Sequence, residues 1–131
     1  MKVNIIVEQN KDGFYSCFVR EDVPYVGLIG YGASSVEAID SLIQFYNESK
    51  SELAKEGKIV PDLEFTIHYD MSSFFNRFDF LKISKVAELA GINPSLLRKY
   101  TSGVAFAGPK QYEKLYTAIQ KIAAELASAS F

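Results

Sequence analysis

Two kinds of hydrophobic periodicity divide the chain. Val3, Ile5 and Val7 alternate with Asn4, Ile6 and Glu8, a pattern of period two that predicts a strand. Asp12-Gly13 supplies turn chemistry, and residues 14–19, rich in aromatic and β-branched side chains, predict a second strand. A third is expected over residues 26–31. Ser34 and Glu37 then stand at capping-box spacing, and Ile39, Leu42, Ile43 and Tyr46 recur at helical intervals, with Gly57 expected to end the helix. After Pro61, Leu63, Phe65, Ile67 and Tyr69 alternate with Glu64, Thr66, His68 and Asp70, the cleanest strand signal in the sequence. The predicted order is β-β-β-α-β, a small sheet with a helix on one face.

From Met71 the period changes. Phe74, Phe75, Phe78 and Phe80 are spaced too irregularly for a strand and predict a short helix feeding a second core. Ser84 is expected to cap a helix over residues 85–90 that ends at Gly91. Asn93 caps the next, with Pro94 at a first position where a missing N–H costs nothing, and Gly103 ends it. Pro109 opens a last helix whose Tyr112, Leu115, Tyr116, Ile119, Ile122, Ala123 and Leu126 form an apolar stripe. The expected class is α+β, with an α/β domain over 1–70 and an all-α domain over 71–131.

Composition narrows the chemistry. Hydrophobic residues make up 48% of the chain, enough for a packed core. A single cysteine and a single histidine exclude a disulfide framework and a clustered thiolate zinc site, and leave little for a histidine-based triad. Gly27, Gly30 and Gly32 lack the spacing and the following lysine of a phosphate loop. Glu8, Asp40 and Asp70 form a conceivable carboxylate cluster of the kind two-metal nuclease chemistry needs, but the centre of the first strand is Ile5-Ile6 and adds no ligand to it. His68 reads as a solvated residue on the polar face of its strand, and Cys17 as a buried, inert thiol. No catalysis, metal or cofactor is expected. The opening apolar run is too short for a signal peptide, and no stretch approaches the roughly 20 apolar residues of a membrane span, so a soluble cytoplasmic protein is expected.

The net charge of −2 hides an asymmetry that changes the picture. Residues 1–70 hold six Lys/Arg against twelve Asp/Glu, whereas residues 71–131 hold eight against four. One half is suited to a basic partner and the other to an acidic one such as nucleic acid.

Residues 83–103, ISKVAELAGINPSLLRKYTSG, carry the strongest local motif. Ala87 is small where a second helix packs close, Gly91 tolerates the turn four residues later, and Leu97 seals the pair from the second helix. Val86, Leu89, Ile92 and Tyr100 complete an apolar set. This segment resembles the helix-turn-helix of phage repressors. The resemblance implies a second helix in the major groove, with Asn93, Ser95 and Lys99 toward bases and Arg98 and Ser102 nearer phosphates. Pro94 departs from the pattern, standing where many such proteins carry a polar base reader, and Leu96 is expected to be exposed. A helical hairpin that binds no DNA would satisfy the same packing positions.

The first half resembles the HicB antitoxin family. Gly32, Ser34, Glu37 and Ala38 match the family's Gly-x-(Ser/Thr)-x-x-Glu-Ala stretch after the third strand. Asp22-Val23-Pro24 resembles its Pro-Asp-Leu-Pro segment, with Glu21 in place of the first proline and Tyr25-Val26 in place of the Gly-Cys that follows. The resemblance implies a partial RNase H-like domain that holds a HicA-like toxin, a small basic RNase, and a helix-turn-helix domain that represses the shared operon. Glu21, Asp22 and Tyr25 are the expected toxin contacts. Operator double-stranded DNA is the second expected partner, bound by a homodimer or higher oligomer that the last helix helps to form. A free-standing transcription regulator, with an N-terminal domain that senses a ligand or oligomerises, remains the alternative.

Overall fold

A computed structural model describes residues 1–131, which divide into two compact units, Met1–Arg77 and Phe78–Phe131. The elements are β1 (Lys2–Gln9), β2 (Tyr15–Val19), β3 (Ile29–Gly32), α1 (Ser35–Lys55), β4 (Glu64–Tyr69), α2 (Met71–Arg77), α3 (Ile83–Ala90), α4 (Pro94–Thr101) and α5 (Pro109–Ser128). The protein is thus mixed α+β, with a four-stranded sheet and five helices. No helix is long and apolar enough to cross a membrane.

In the first unit the sheet order is β3-β2-β1-β4, with β1, β2 and β3 antiparallel and β4 parallel to β1. The parallel pair requires a crossover, which α1 supplies. Register puts Ile5 beside Val19 and Ile67, and Val7 beside Cys17 and Tyr69. These residues face α1, where Val3, Ile5, Val7, Tyr15 and Cys17 pack with Ala38, Ile39, Leu42 and Tyr46. The opposite sheet face carries an apolar row in which Ile6 stands beside Phe18 and Phe18 beside Ile29.

The ends of α1 follow from sequence. Ser34 Oγ accepts from Glu37 N at 3.1 Å, and Glu37 reaches back to Ala33 N at 2.9 Å, one residue earlier than the usual reciprocal bond. At the other end Gly57 is left-handed, with Gly57 N donating to Ala54 O and Lys58 N to Leu53 O, which closes the orphan carbonyls of the last turn.

Two expectations are corrected here. β3 begins at Ile29 rather than at residue 26, because Val23-Pro24-Tyr25-Val26 closes a tight turn in which Val26 N donates to Val23 O. Phe74 and Phe75 of the phenylalanine-rich segment do not feed the second core either. Their helix α2 packs on α1, β1 and β4, with Met71 and Phe75 buried. Asp70 starts it by accepting from Ser73 N at 2.7 Å, and Ser35 Oγ donates to Ser73 O at 2.7 Å. These bonds carry the first unit past residue 70, to Arg77. Phe78 and Phe80, in edge-to-face contact at 6.1 Å, belong to the second.

In the second unit α3 packs on α4 and α5 around Val86, Ala87, Ile92, Leu97, Tyr100, Leu115 and Ala118. The stripe foreseen on α5 is only partly used. The helix buries Leu115 and Ala118, of which only Leu115 belongs to that stripe, whereas Tyr116 and Leu126 are each 66% exposed.

The first unit's tightest contact gives a direct test. A Cβ on Gly30 would overlap the Ala38 carbonyl oxygen and stand 2.9 Å from Leu42 Cβ. Helix backbone cannot rotate away as a side chain can, so Gly30→Ala should cost about 3 kcal/mol. Urea denaturation checks it: the midpoint should fall with the slope unchanged, and an unchanged midpoint would contradict the close seating of α1 on β3.

Candidate functional site

The α3–turn–α4 geometry is set at its four helix ends. Lys82 is the N-cap of α3, in extended conformation and without a side-chain cap bond, so Ser84 lies inside the first turn and the expected cap is corrected. The helix starts because Lys82 O accepts from both Lys85 N and Val86 N. It ends at Gly91, whose φ of 69° is reached by glycine without Cβ strain, and Ile92 N folds back to Ala87 O at 3.0 Å. Two residues later α4 begins, with Asn93 Oδ1 accepting from Ser95 N at 2.9 Å and Pro94 at the first position. Gly103 terminates α4, with Val104 N donating to Lys99 O.

Ala87 and Leu97 are each 0% exposed where the two helices meet. That seal turns the other side of α4 outward. Asn93, Ser95, Arg98, Lys99 and Ser102 are all exposed, and spacings of three, four and seven residues put Ser95, Arg98, Lys99 and Ser102 on one helical stripe. No acidic residue occurs in α4, and neither Arg98 nor Lys99 enters an ion pair. Asn93 Oδ1 is committed to the cap, which leaves its amide Nδ2 as the group that can donate to an acceptor. Ser102 Oγ donates to Lys99 O at 3.2 Å and keeps acceptor capacity. Leu96, expected to be exposed, is half-buried. Leu89, expected in the core, is 54% exposed and lines an open groove against α5.

In the first unit the three expected contact residues separate. Glu21 is a clamp within the fold: Oε2 accepts from Asn4 N at 2.7 Å, Oε1 accepts from Asn4 Nδ2, and Arg20 lies 3.6 Å away. The Asn4 backbone N–H foremost, then its amide, hold the Glu21 carboxyl below the usual range. This stabilisation is present above the unfolded carboxyl's range and fades as pH falls through the lowered value. His68 Nε2 lies 2.6 Å from Asn4 Oδ1, extending the same network across the sheet. Asp22 is exposed. Tyr25 is 63% exposed at a φ of 70°, and is the one non-glycine residue at positive φ.

Tyr25 forms one wall of a groove of about 490 Å³ whose other side is α1, with Phe45, Glu48, Glu52 and Leu53. Sequence reasoning missed the α1 residues. The available signal was Phe45, an aromatic residue off the helix's apolar stripe, with Glu48, Ser49 and Glu52 three, four and seven positions on.

Of the residues weighed for catalysis, one is occupied within the fold. Asp70 accepts from Gln9 N and caps α2, and Glu8 and Asp40 are exposed. No group of three His, Cys, Asp or Glu side chains could hold a metal ion. Cys17 is buried, its Sγ 3.2 Å from Ala38 O, and burial pushes its thiol up to about 11 against an opposing bond from the Gly30 backbone.

No family model, curated protein or solved structure matches the chain.

The Asn93 cap can be separated from any ligand role. Asn93→Ala should cost about 1 kcal/mol of stability, while Asn93→Asp, which keeps the accepting oxygen, should leave it unchanged within a few tenths. Thermal denaturation of both variants distinguishes a cap from a residue held only by solvent, for which the two substitutions would behave alike.

Proposed function

We propose that this protein is an antitoxin of the HicA/HicB type. Its first unit holds a small basic RNase toxin, and its second binds operator DNA to repress the shared operon. The observation that carries the reading is the α3–Gly91–α4 geometry, with Ser95, Arg98, Lys99 and Ser102 on one exposed stripe. A helix held by its neighbour and offering two unpaired cations can enter the major groove, with Arg98 or Lys99 reaching a guanine edge or a phosphate.

Charge supports the division of labour. Residues 78–131 carry seven Lys/Arg against four Asp/Glu, and residues 1–77 seven against twelve. An acidic unit can occupy a surface of the toxin that otherwise takes RNA phosphate. The β-β-β-α-β order, with Gly32, Ser34, Glu37 and Ala38 at the entry to α1, supports a partial RNase H-like, HicB-like domain. The protein acts in the cytoplasm as a homodimer or higher oligomer, with the exposed Tyr116 and Leu126 of α5 available for self-association. It is not an enzyme. A short adjoining gene for a basic, histidine-containing protein would favour this function over a free-standing regulator, which would share only the DNA-binding half.

Fluorescence anisotropy with the protein's own promoter fragment tests the DNA half. Affinity should fall steeply between 50 and 200 mM salt, and Arg98→Ala or Lys99→Ala should each reduce the log–log salt slope by about 1. No binding, or binding indifferent to salt and to both substitutions, would overturn it.

A further inference from the structure

The groove between the 23–27 turn and α1 has a composition that selects its occupant. Two aromatic side chains, Tyr25 at 63% and Phe45 at 45% exposure, stand beside the carboxylates of Glu48 and Glu52. Aromatic faces attract cations through the ring quadrupole, and a carboxylate pairs with a planar guanidinium through two parallel N–H···O bonds. The chain already demonstrates the attraction, since Lys58 Nζ lies 6.0 Å from the Tyr25 ring centroid.

The partners these groups now have are displaceable. Glu52 pairs with Lys55 at 3.1 Å, both side chains more than 70% exposed, and Glu48 accepts from Gln44 Nε2 at 3.0 Å on the helix surface. Such exposed contacts contribute little. The ring itself is held outward at a strained position: Tyr25 follows Pro24 in a turn whose third residue is normally glycine, so its left-handed backbone is costly for a tyrosine.

We propose that this groove receives an arginine side chain of a basic partner protein, its guanidinium stacked on Tyr25 or Phe45 and paired with Glu48 and Glu52. The inference deepens the antitoxin reading and rests on it, since the basic toxin is the partner that would carry the arginine. Arginine suits the groove better than lysine because its flat cation stacks and forks at once, whereas an ammonium is a hydrated point charge. Nucleic acid is disfavoured by the two carboxylates.

The test uses the full chain, isotope-labelled for NMR, and acetyl-Gly-Arg-Gly-amide as probe. Shift changes are expected at amides 25–27 and 45–53, absent with the uncharged citrulline peptide. They should be lost in Glu48→Gln/Glu52→Gln and in Tyr25→Gly, a variant that suits the positive φ and removes only the ring. No shifts at the groove, or equal shifts with citrulline, would overturn the proposal. So would shifts at these amides that track protein concentration without peptide, which would assign the groove to a second copy. Calorimetry with the purified product of the adjoining reading frame separates the two levels. A tenfold or greater loss of affinity in Glu48→Gln/Glu52→Gln, with Glu8→Gln/Glu64→Gln unaffected, supports the groove. Equal binding by wild type and the groove variants removes the groove and leaves the antitoxin reading standing, whereas no binding by wild type removes both.

Discussion

The first unit is organised by the absence of a side chain at Gly30. A Cβ there would meet the Ala38 carbonyl oxygen, so α1 lies with its backbone against β3 rather than one side-chain layer away. That close seating buries Ala38 and Leu42 completely and brings Ala38 O within 3.2 Å of the Cys17 thiol. It also fixes the start of α1, where Gly32 is equally crowded by Glu37 and Ser34 caps the first turn. Ser35, held in the same turn, anchors α2 through Ser73 and Asn76. With one face of α1 locked to the sheet, Phe45, Glu48 and Glu52 on another face line the groove beside the 23–27 turn.

The second unit depends on a similar economy of volume. Ala87 and Leu97 are fully buried in a core where α3 packs on α4 and a larger residue at 87 would crowd that packing, and Gly91 supplies a left-handed turn that disfavours a β-branched residue. The side of α4 turned away from that contact then carries the polar residues. Both units therefore use small residues to bring backbones together, and the proposed functional surfaces are what remains on the far side of the helices so placed.

Much of this was legible in the sequence because local signals and tertiary packing agree. The alternation of Phe65, Ile67 and Tyr69, the Ser34 cap, and the glycines at 57, 91 and 103 each act within a turn or a strand. The failures are non-local. Nothing in the spacing of Phe74 and Phe75 says that α2 returns to α1, since Asn76 and Ser73 meet Ser35 across some forty residues. Ser84 has the right chemistry for a cap, yet the chain is already helical at Ile83, where the Lys82 carbonyl rather than a side chain accepts the first helical bonds. Glu21 reads as a loop carboxylate free for a partner, but Asn4, seventeen residues earlier, claims it. The groove at Tyr25 joins a turn and a helix that no periodicity connects.

The proposed function needs the two oppositely charged units to serve two partners in one chain, and the toxin-holding half is its central claim. Co-expression with the adjoining open reading frame tests that claim in a growth assay with affinity co-purification. The neighbouring product should arrest growth alone, co-purify with this chain and lose its toxicity in its presence. Growth unaffected by the neighbour, or a toxic neighbour that neither binds nor is relieved, would contradict it, and a chain that still bound its promoter would then be a plain transcription regulator.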